Sequence, residues 1–250
     1  MAETIHRDRD AFRAIRDKVL SAIRHGVIVS CQASAGGPLD APEHIAAMAI
    51  SAERGGAVGL RLDGPVNVRA VRELTTLPVI GIHKRNGSDV YITPTFESAR
   101  IVVEAGANIV ALDGTPRTRP EGETFAEIVQ RLHDECGVPV MADVSTLEEA
   151  IVAARAGADL VATTLAGHTP YSTGGARQNA ALAGRIAAAV SVPVVVEGGL
   201  WTVDDVRASF DAGAFAVVVG SAVTAPDLIT RRLSAAAPRF VNANGDGGME

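Results

Sequence analysis

Short apolar runs recur along the chain, and two kinds of start alternate between them. One kind begins with Gly-Ala or a close variant, as in EAGANIVALDG (104–114) and RAGADLVATT (155–164). The other begins with an apolar residue and proline, as in VPVMADVS (138–145) and VPVVVEGG (192–199). With HGVIVSCQ (25–32) in front, the pattern predicts eight strands that start near residues 27, 57, 78, 108, 138, 159, 193 and 215.

The predicted strands are continuously apolar, as expected when both faces of a parallel sheet are covered. Between them lie segments with helical character, among them 88–106, 145–157 and 202–213. Two of these open with capping residues followed by acidic ones, at Ser145-Thr146-Leu147-Glu148 and Thr202-Val203-Asp204-Asp205. Eight such units in 250 residues predict a (β/α)8 TIM barrel. A doubly wound open sheet is the alternative, but no G-x-G-x-x-G follows the first strand.

The ends of the chain differ from the repeating middle. The segment before Gly26 predicts an extra amphipathic N-terminal helix, placed to cover the barrel bottom or a partner subunit. Residues 1–240 are expected to form a single barrel domain, and residues 241–250 a flexible C-terminal tail. The extra helix makes a homodimer the expected assembly.

Composition narrows the setting and the partners. The formal net charge of -6 gives no general attraction to nucleic acid or to an anionic membrane, so neither is expected as a partner. Two cysteines, Cys31 and Cys136, suggest neither a disulfide framework nor a thiolate metal site. We find no signal-peptide pattern and no run of about 18 apolar residues, and expect a soluble cytoplasmic protein.

In a barrel of this kind the chemistry lies at the C-terminal ends of the strands. Those ends carry an unusual number of polar residues. They are Gln32, Arg61, Asp63, His83, Lys84, Arg85, Asp113, Asp143, Thr163, Thr164, Glu197, Gly220 and Ser221.

Strand side chains alternate between faces, which allows a parity test from the shared starts. Asp143 and Glu197 lie four residues after their prolines and Lys84 lies six after, so all three are predicted to share the inner face. In the Gly-Ala runs, Arg61 lies at Gly plus five, and Thr164 at Gly plus seven together with Asp113 and Gly220. These positions again share one parity.

A lysine near two carboxylates forms either a structural ion pair or a catalytic group. Burying charged groups costs on the order of several kcal/mol per ion before pairing, which favours function for Lys84, Asp143 and Glu197. Asp63 and Arg85 are expected to fall on the opposite parity or in loops and to be solvated. For Asp113 two roles remain open, one in the site and one in holding a loop through backbone amides.

The glycines after strands 7 and 8 stand where barrels commonly bind phosphate through backbone N–H groups. We expect a phosphate near Gly198, Gly199, Gly220 and Ser221. His168 is the one histidine on a loop at the active end, and it is interpreted as a surface residue. Cys31 precedes Gln32 and so points away from it, which argues against a cysteine nucleophile.

Several motifs together resemble one enzyme family. They include SCQ (30–32), GLR (59–61), IHKR (82–85), MAD (141–143), TTLAGHTPY (163–171), VEGG (196–199) and GSAVT (220–224). The set, which covers about residues 26–235, resembles the N-acetylmannosamine-6-phosphate 2-epimerases, (β/α)8 barrels of amino-sugar and sialic acid catabolism. The resemblance implies epimerisation at C2 of an amino-sugar phosphate, with no metal and no redox cofactor.

The resemblance also implies roles for individual residues. Lys84 is the implied base at C2 and Glu197 the partner acid or base. Gln32, Arg61, Asp143 and Thr164 are implied as substrate-binding or orienting groups. Asp143 could instead hold Lys84 in place, which would raise the pKa of the lysine and oppose its role as a base.

The chain departs from the family in two places beside the expected phosphate. Gly199 and Ala225 stand where the family usually has arginine. The phosphate could then rest on loop amides alone, or on Arg85 or Arg177. Two other functions stay open: a Schiff-base lyase or aldolase that uses Lys84, and a sugar-phosphate-binding barrel without catalysis.

Overall fold

The computed structural model describes the backbone of residues 2–238 and the side chains of residues 10–238. Within that range eight parallel strands close into a barrel in sequence order, with β1 paired to both β2 and β8. The strands are β1 (Val27–Cys31), β2 (Gly59–Asp63), β3 (Val79–Ile82), β4 (Ile109–Asp113), β5 (Val140–Asp143), β6 (Leu160–Ala162), β7 (Val194–Glu197) and β8 (Ala216–Val219). The predicted TIM barrel is confirmed, and each strand begins within two residues of its predicted start.

One helix precedes β1, and the others follow the strands. Over residues 2–238 they are α1 (Ala2–Ile23), α2 (Pro42–Arg54), α3 (Pro65–Arg72), α4 (Phe96–Glu104), α5 (Phe125–Arg131), α6 (Leu147–Arg155), α7 (Ala176–Ala189), α8 (Val203–Asp211), α9 (Ser221–Thr224) and α10 (Pro226–Ser234). A π-helical turn, Leu132–Cys136, continues α5, and a 3-10 turn, Thr163–Leu165, follows β6.

Two predicted helix starts are confirmed by their caps. The Thr146 hydroxyl accepts the backbone N–H of Glu149, and the Glu149 carboxylate accepts the backbone N–H of Thr146. Thr202 and Asp205 form the same reciprocal pair before α8. Such boxes satisfy backbone donors that a helix leaves free at its start.

The helix predicted over 88–106 is wrong in its first half. The helix begins at Phe96, after the N-cap Thr95, and the residues before it run back along β3. Ile92 makes an antiparallel bridge to Lys84, and Arg85 donates its N–H to the Tyr91 carbonyl 2.9 Å away. Pro94 also disfavours a helical conformation at the residue before it.

The inside and outside of the barrel form separate apolar clusters. Ile80, Ile82, Ile109 and Met141 pack together inside the barrel. The neighbouring strand residues, such as Val79, Val110 and Val140, pack outward against the helices. This alternation places Lys84, Asp143 and Glu197 in phase with the inner positions, as the parity test predicted.

Helix α1 closes the end of the barrel opposite the strand C-termini. Ile23, at its last turn, is fully buried and packs with Ile28 and Ile80 of the barrel interior. Val19 and Leu20 pack against the same cluster. Of the two placements predicted for this helix, the structure therefore shows cover of the barrel bottom. The predicted tail lies outside the described residues.

Candidate active site

The C-terminal ends of the strands surround a cavity of about 380 Å³. Residues from β1, β2, β3, β7 and β8 and from the following loops line it. They are Ser30, Gln32, Arg61, Ile82, Lys84, Tyr91, Ile92, Thr164, His168, Glu197, Gly198, Gly199, Leu200, Trp201, Val218, Gly220, Ser221, Ala222, Thr224 and Ala225. Seven of the predicted strand-end positions, Gln32, Arg61, Lys84, Thr164, Glu197, Gly220 and Ser221, are thereby brought together.

Arg61 lies at the floor of the cavity between two carboxylates. Its side chain is 1% exposed. The guanidinium donates to both oxygens of Asp143, at 2.6 Å and 3.0 Å, and Nη1 also donates to Glu197 Oε2 at 2.8 Å. This planar donor fork is suited to binding a carboxylate through two parallel bonds. Arg61 therefore joins β2, β5 and β7 through one buried charge cluster.

The same cluster includes Thr164 and leaves one donor free. Thr164 Oγ1 lies 2.6 Å from Asp143 Oδ1 and 3.1 Å from Glu197 Oε2. Burial by itself lowers the pKa of Arg61, but the charges of Asp143 and Glu197 raise it above its ordinary value overall. Arg61 Nε is buried and has no hydrogen-bond partner among the described residues.

Glu197 has an altered proton affinity and a fixed backbone. Burial raises its pKa to about 7, with Asp143 adding to the rise and Arg61 opposing it. Thr163 Oγ1 donates to the Glu197 carbonyl and accepts the Glu197 N–H. Asn179 Nδ2 donates to the carbonyls of Glu197 and Gly198. At neutral pH this carboxyl can therefore give or take a proton from a defined position.

Lys84 lies nearer the mouth of the cavity, with 40% of its side chain exposed. Its Nζ donates to Gln32 Oε1 at 2.5 Å and lies 3.9 Å from Asp63 Oδ2. Gln32 Nε2 donates to Ser30 Oγ at 2.8 Å, and this bond turns the amide oxygen toward the lysine. The lysine amine is thus held by residues at the ends of β1 and β2.

Burial is the largest influence on Lys84 and lowers its pKa below the ordinary value. The charge of Arg61 lowers it further. The carboxylates of Asp63, Glu197 and Asp143 oppose both effects. A lowered pKa increases the fraction of neutral amine, which is the form that can accept a proton.

Hydrogen bonds from the loop after Lys84 fix the backbone next to this lysine. Thr93 donates its N–H to the His83 carbonyl, and its Oγ1 accepts the His83 N–H at 3.0 Å. Thr93 is fully buried and adopts φ 46°, which is uncommon for a residue other than glycine. These contacts fold the loop back onto β3 and set the direction in which Lys84 leaves the strand.

Two sequence expectations about carboxylates are wrong. Asp63 is not on the opposite parity, because it stands two residues after Arg61 in β2 and contacts Lys84. Asp143 does not hold Lys84, because its oxygens bind Arg61 and Thr164 instead. Of the two roles left open for Asp113, the structure shows the loop: it accepts the N–H and hydroxyl of Thr115.

Beside the predicted phosphate site, the chain has Gly199 and Ala225 instead of arginine. Gly199 has φ 73°, and a Cβ there would lie 2.9 Å from Ala176 N and 3.0 Å from Gly175 Cα. A side chain at this position would therefore require the segment before α7 to shift. Ala225 lines the cavity, whereas Arg85 and Arg177, the two cations proposed from the sequence, do not line it.

Sequence reasoning missed two large residues at the cavity, Tyr91 and Trp201, which both line it. His168 is exposed, as interpreted from the sequence, and also lines the cavity. Tyr91 belongs to the segment that was predicted as helix, which hid its position. Trp201 follows the phosphate-type glycines, and its place after strand 7 was an available signal.

The remaining candidate groups lie apart from this cavity. Cys31 is buried on the outer face of β1, where burial raises the pKa of its thiol to about 12. Among the described residues, no group of three or more His, Cys, Asp or Glu side chains is arranged to hold a metal ion. Over the same part of the chain, no helix has the length and apolar character needed to cross a membrane.

Comparison with known proteins gives consistent matches. Residues 45–238 match the NanE family, described as "Putative N-acetylmannosamine-6-phosphate epimerase". A Synechococcus elongatus protein, described as a "Putative N-acetylmannosamine-6-phosphate 2-epimerase", is 50% identical over 85% of this chain and 94% of its own length. A protein from Caldanaerobacter subterraneus with the same description is 43% identical over 86% of this chain and 92% of its own.

One solved structure matches along nearly its whole length. It is the N-acetylmannosamine-6-phosphate 2-epimerase from Clostridium perfringens, which is 38% identical to this chain with a TM-score of 0.82. The match covers 87% of this chain and 96% of the other. A thiamine phosphate pyrophosphorylase from Pyrococcus furiosus, at 19% identity and a TM-score of 0.57, shares the fold.

Proposed function

Since the chain belongs to the NanE family of N-acetylmannosamine-6-phosphate epimerases, we propose that its cavity inverts C2 of that sugar phosphate through Lys84. The chain is an isomerase that interconverts N-acetylmannosamine 6-phosphate and N-acetylglucosamine 6-phosphate. The observation that carries the proposal is that Lys84 and Glu197 line one cavity. Burial lowers the pKa of the lysine and raises that of the glutamate.

Proton removal begins from the open-chain sugar, in which the C1 aldehyde acidifies the proton at C2. The neutral amine of Lys84 takes this proton, and the electron pair of the C–H bond moves into a C1–C2 double bond. The C1 oxygen gains the negative charge or a proton. A base is most effective when its pKa lies near the working pH, and burial moves Lys84 in that direction.

The developing charge on the C1 oxygen needs a partner. Protonated Glu197 can donate to that oxygen, and its pKa of about 7 keeps a useful fraction protonated at neutral pH. Once the opposite face of C2 is turned toward the Lys84 ammonium, the ammonium returns a proton to it. The electron pair of the C1–C2 double bond forms the new C–H bond, the C1 oxygen gives its proton back to Glu197, and the re-formed C1 aldehyde belongs to the epimer.

The phosphate is proposed to lie where Gly198, Gly199, Gly220 and Ser221 line the cavity. Backbone N–H groups and the Ser221 hydroxyl would supply neutral donors there. Charge-assisted bonds contribute roughly 1.5–3 kcal/mol each, so we expect weaker phosphate binding than an arginine at position 225 would give.

Exchange with solvent tests the reaction directly. The protein is incubated in D2O with N-acetylmannosamine 6-phosphate and, separately, with the unphosphorylated sugar, and C2 is followed by NMR. We expect deuterium at C2 and appearance of the epimer with the phosphorylated sugar. Exchange of the free sugar alone would overturn the substrate assignment.

Two variants connect the exchange to the site. Lys84→Ala is expected to abolish exchange, while Lys18→Ala, which changes an exposed lysine on α1, should leave it intact. Retained exchange in Lys84→Ala would remove this residue from the mechanism. A borohydride-stable adduct on Lys84 in the presence of substrate would favour the lyase or aldolase function.

The assembly and location are also proposals. We propose a homodimer, supported by the exposed apolar side chains of Ile15 on α1 and Leu233 on α10. Sedimentation equilibrium tests it, and a single monomeric species at micromolar concentration would contradict it. A reducing cytoplasm fits the two cysteines, which are both free; fractionation of cells that express the protein checks this.

A further inference from the structure

We propose that Asp63 is a positioning residue for Lys84, which fixes the direction in which the lysine side chain leaves the strand and attracts its charged end. The inference rests on the proposed function of Lys84 as the base. It assigns a task to a residue that the sequence pattern predicted to be solvated.

The two oxygens of Asp63 contact two different parts of Lys84. Oδ1 accepts the backbone N–H of Lys84 at 2.9 Å, and Oδ2 lies 3.9 Å from Nζ. One contact therefore fixes the point at which the side chain leaves the strand, and the other attracts its charged end. A carboxylate that made only a surface ion pair would have no reason to bind the backbone as well.

Asp63 is itself well anchored. It ends β2 in register with Ile82 of β3, and the next residue, Gly64, donates its N–H to the Ile82 carbonyl at 2.8 Å. Asn67 in α3 donates to the Asp63 carbonyl at 2.8 Å. The backbone on both sides of the carboxylate is thus held, so the carboxylate can hold Lys84 in turn.

The charges around the lysine give Asp63 a distinct position. Arg61 faces Lys84 from β2, and Glu197 and Asp143 face it from β7 and β5. Both of these carboxylates are bound to Arg61, whereas Asp63 forms no ion pair with that arginine at 4 Å or less. Arg85 follows Lys84 in the chain, and Tyr91 faces the same cavity. Asp63 is therefore the nearest anion to the amine in the described structure.

Two substitutions distinguish the hydrogen bond from the Lys84 backbone N–H to Asp63 from the attraction between the Asp63 charge and the lysine amine. Asp63→Asn keeps an oxygen that can accept the Lys84 N–H but removes the charge. Asp63→Ala removes both. Asp89, an exposed carboxylate on the loop that follows Lys84, provides the matched control Asp89→Asn.

The sequence allows the lysine to be observed directly. It contains two lysines, Lys18 and Lys84, so protein labelled with 13C-lysine gives two side-chain signals, which Lys84→Arg assigns. The Lys84 signal is titrated in wild type, Asp63→Asn and Asp89→Asn. Loss of a nearby negative charge disfavours the charged amine, so Asp63→Asn should titrate at lower pH and Asp89→Asn should match wild type.

Kinetics supply the second readout. The acidic limb of the kcat profile should move to lower pH in Asp63→Asn, because the amine stays neutral at lower pH, while the high-pH plateau remains near the wild-type value. Asp63→Ala should lower that plateau about tenfold to a hundredfold, the cost expected from a misplaced reacting group. The KM should change less than kcat, since Asp63 does not line the cavity.

The outcomes separate this inference from the proposed function. Equal Lys84 titrations in wild type and Asp63→Asn would overturn it, even if Asp63→Ala failed to fold. An Asp63→Ala plateau equal to wild type would overturn the directional role. Absence of C2 exchange in the wild-type protein would instead refute the proposed reaction, and the lysine titration would still report what Asp63 does to Lys84.

Discussion

Arg61 Nη1 lies 2.8 Å from Glu197 Oε2, and this bond does not prevent burial from raising the pKa of Glu197 to about 7. The reason is that Arg61 is shared. Its guanidinium already donates twice to Asp143, whose charge adds to the rise. The arginine thus holds both carboxylates in place without making the second one a strong acid.

A raised carboxyl pKa in the folded state makes stability depend on pH. Between pH 4.5 and about 7 the folded protein binds more protons than the unfolded chain. The contribution of Glu197 to the free energy of unfolding is therefore fully present below pH 4.5 and is lost as the pH rises through about 7. Over this pH range we expect the free energy of unfolding of wild type to fall by up to about 3 kcal/mol relative to that of Glu197→Gln. Urea unfolding of both proteins at four pH values measures it. A constant difference would contradict the prediction.

Removal of Arg61 should destabilise the barrel. Arg61→Met leaves Asp143 and Glu197 buried without their cation, and breaking a buried pair in this way costs about 3–5 kcal/mol. The double variant Arg61→Met with Asp143→Asn should recover part of the loss, because one buried charge is removed with its partner. Urea unfolding reports both. A double variant less stable than the single one would argue against this account.

Gly199 should tolerate a side chain less well than a glycine of similar backbone conformation. Gly122 has φ 74° with no heavy atom within 4 Å of the place that a Cβ would occupy, whereas Gly199, at φ 73°, faces Gly175 and Ala176. Gly122→Ala should cost about 1–2 kcal/mol from φ alone. Gly199→Ala should cost a further 1–3 kcal/mol or so from crowding. Equal losses in thermal unfolding would show that the neighbouring segment yields freely.

The hydroxyl of Thr93 should matter for activity through Lys84. Thr93→Val keeps the branched shape and removes the acceptor for the His83 N–H, which leaves a partly buried donor unpaired at a cost of up to about 1–3 kcal/mol. Thr93→Ser keeps the hydroxyl and serves as the control. We expect a lower kcat in Thr93→Val than in Thr93→Ser, measured by epimer formation. The reverse order would place the loop outside the mechanism.

The barrel and most of its site could be predicted because both follow from regular patterns. Alternation along strands fixed the shared face of Lys84, Asp143 and Glu197 from the proline positions alone. The same alternation, continued two residues past Arg61, places Asp63 on the same face as that arginine.

Other features could not be read from patterns. The bridge between Lys84 and Ile92 depends on Thr93 adopting a left-handed conformation, which threonine rarely favours by itself. The pairing of Asp143 with Arg61 instead of Lys84 depends on side-chain reach across the barrel, which residue spacing does not encode. The close approach of Gly199 to Gly175 likewise joins segments that are distant in sequence.

The pairing of β1 with β8 has a consequence for synthesis of the chain. Val27 pairs with Val217, so the first strand stays an open edge until almost the whole polypeptide has left the ribosome. Unpaired edges invite association with other chains, and pairings between distant residues form slowly. Nascent chains arrested before residue 216 should therefore engage chaperones far more than those released at full length.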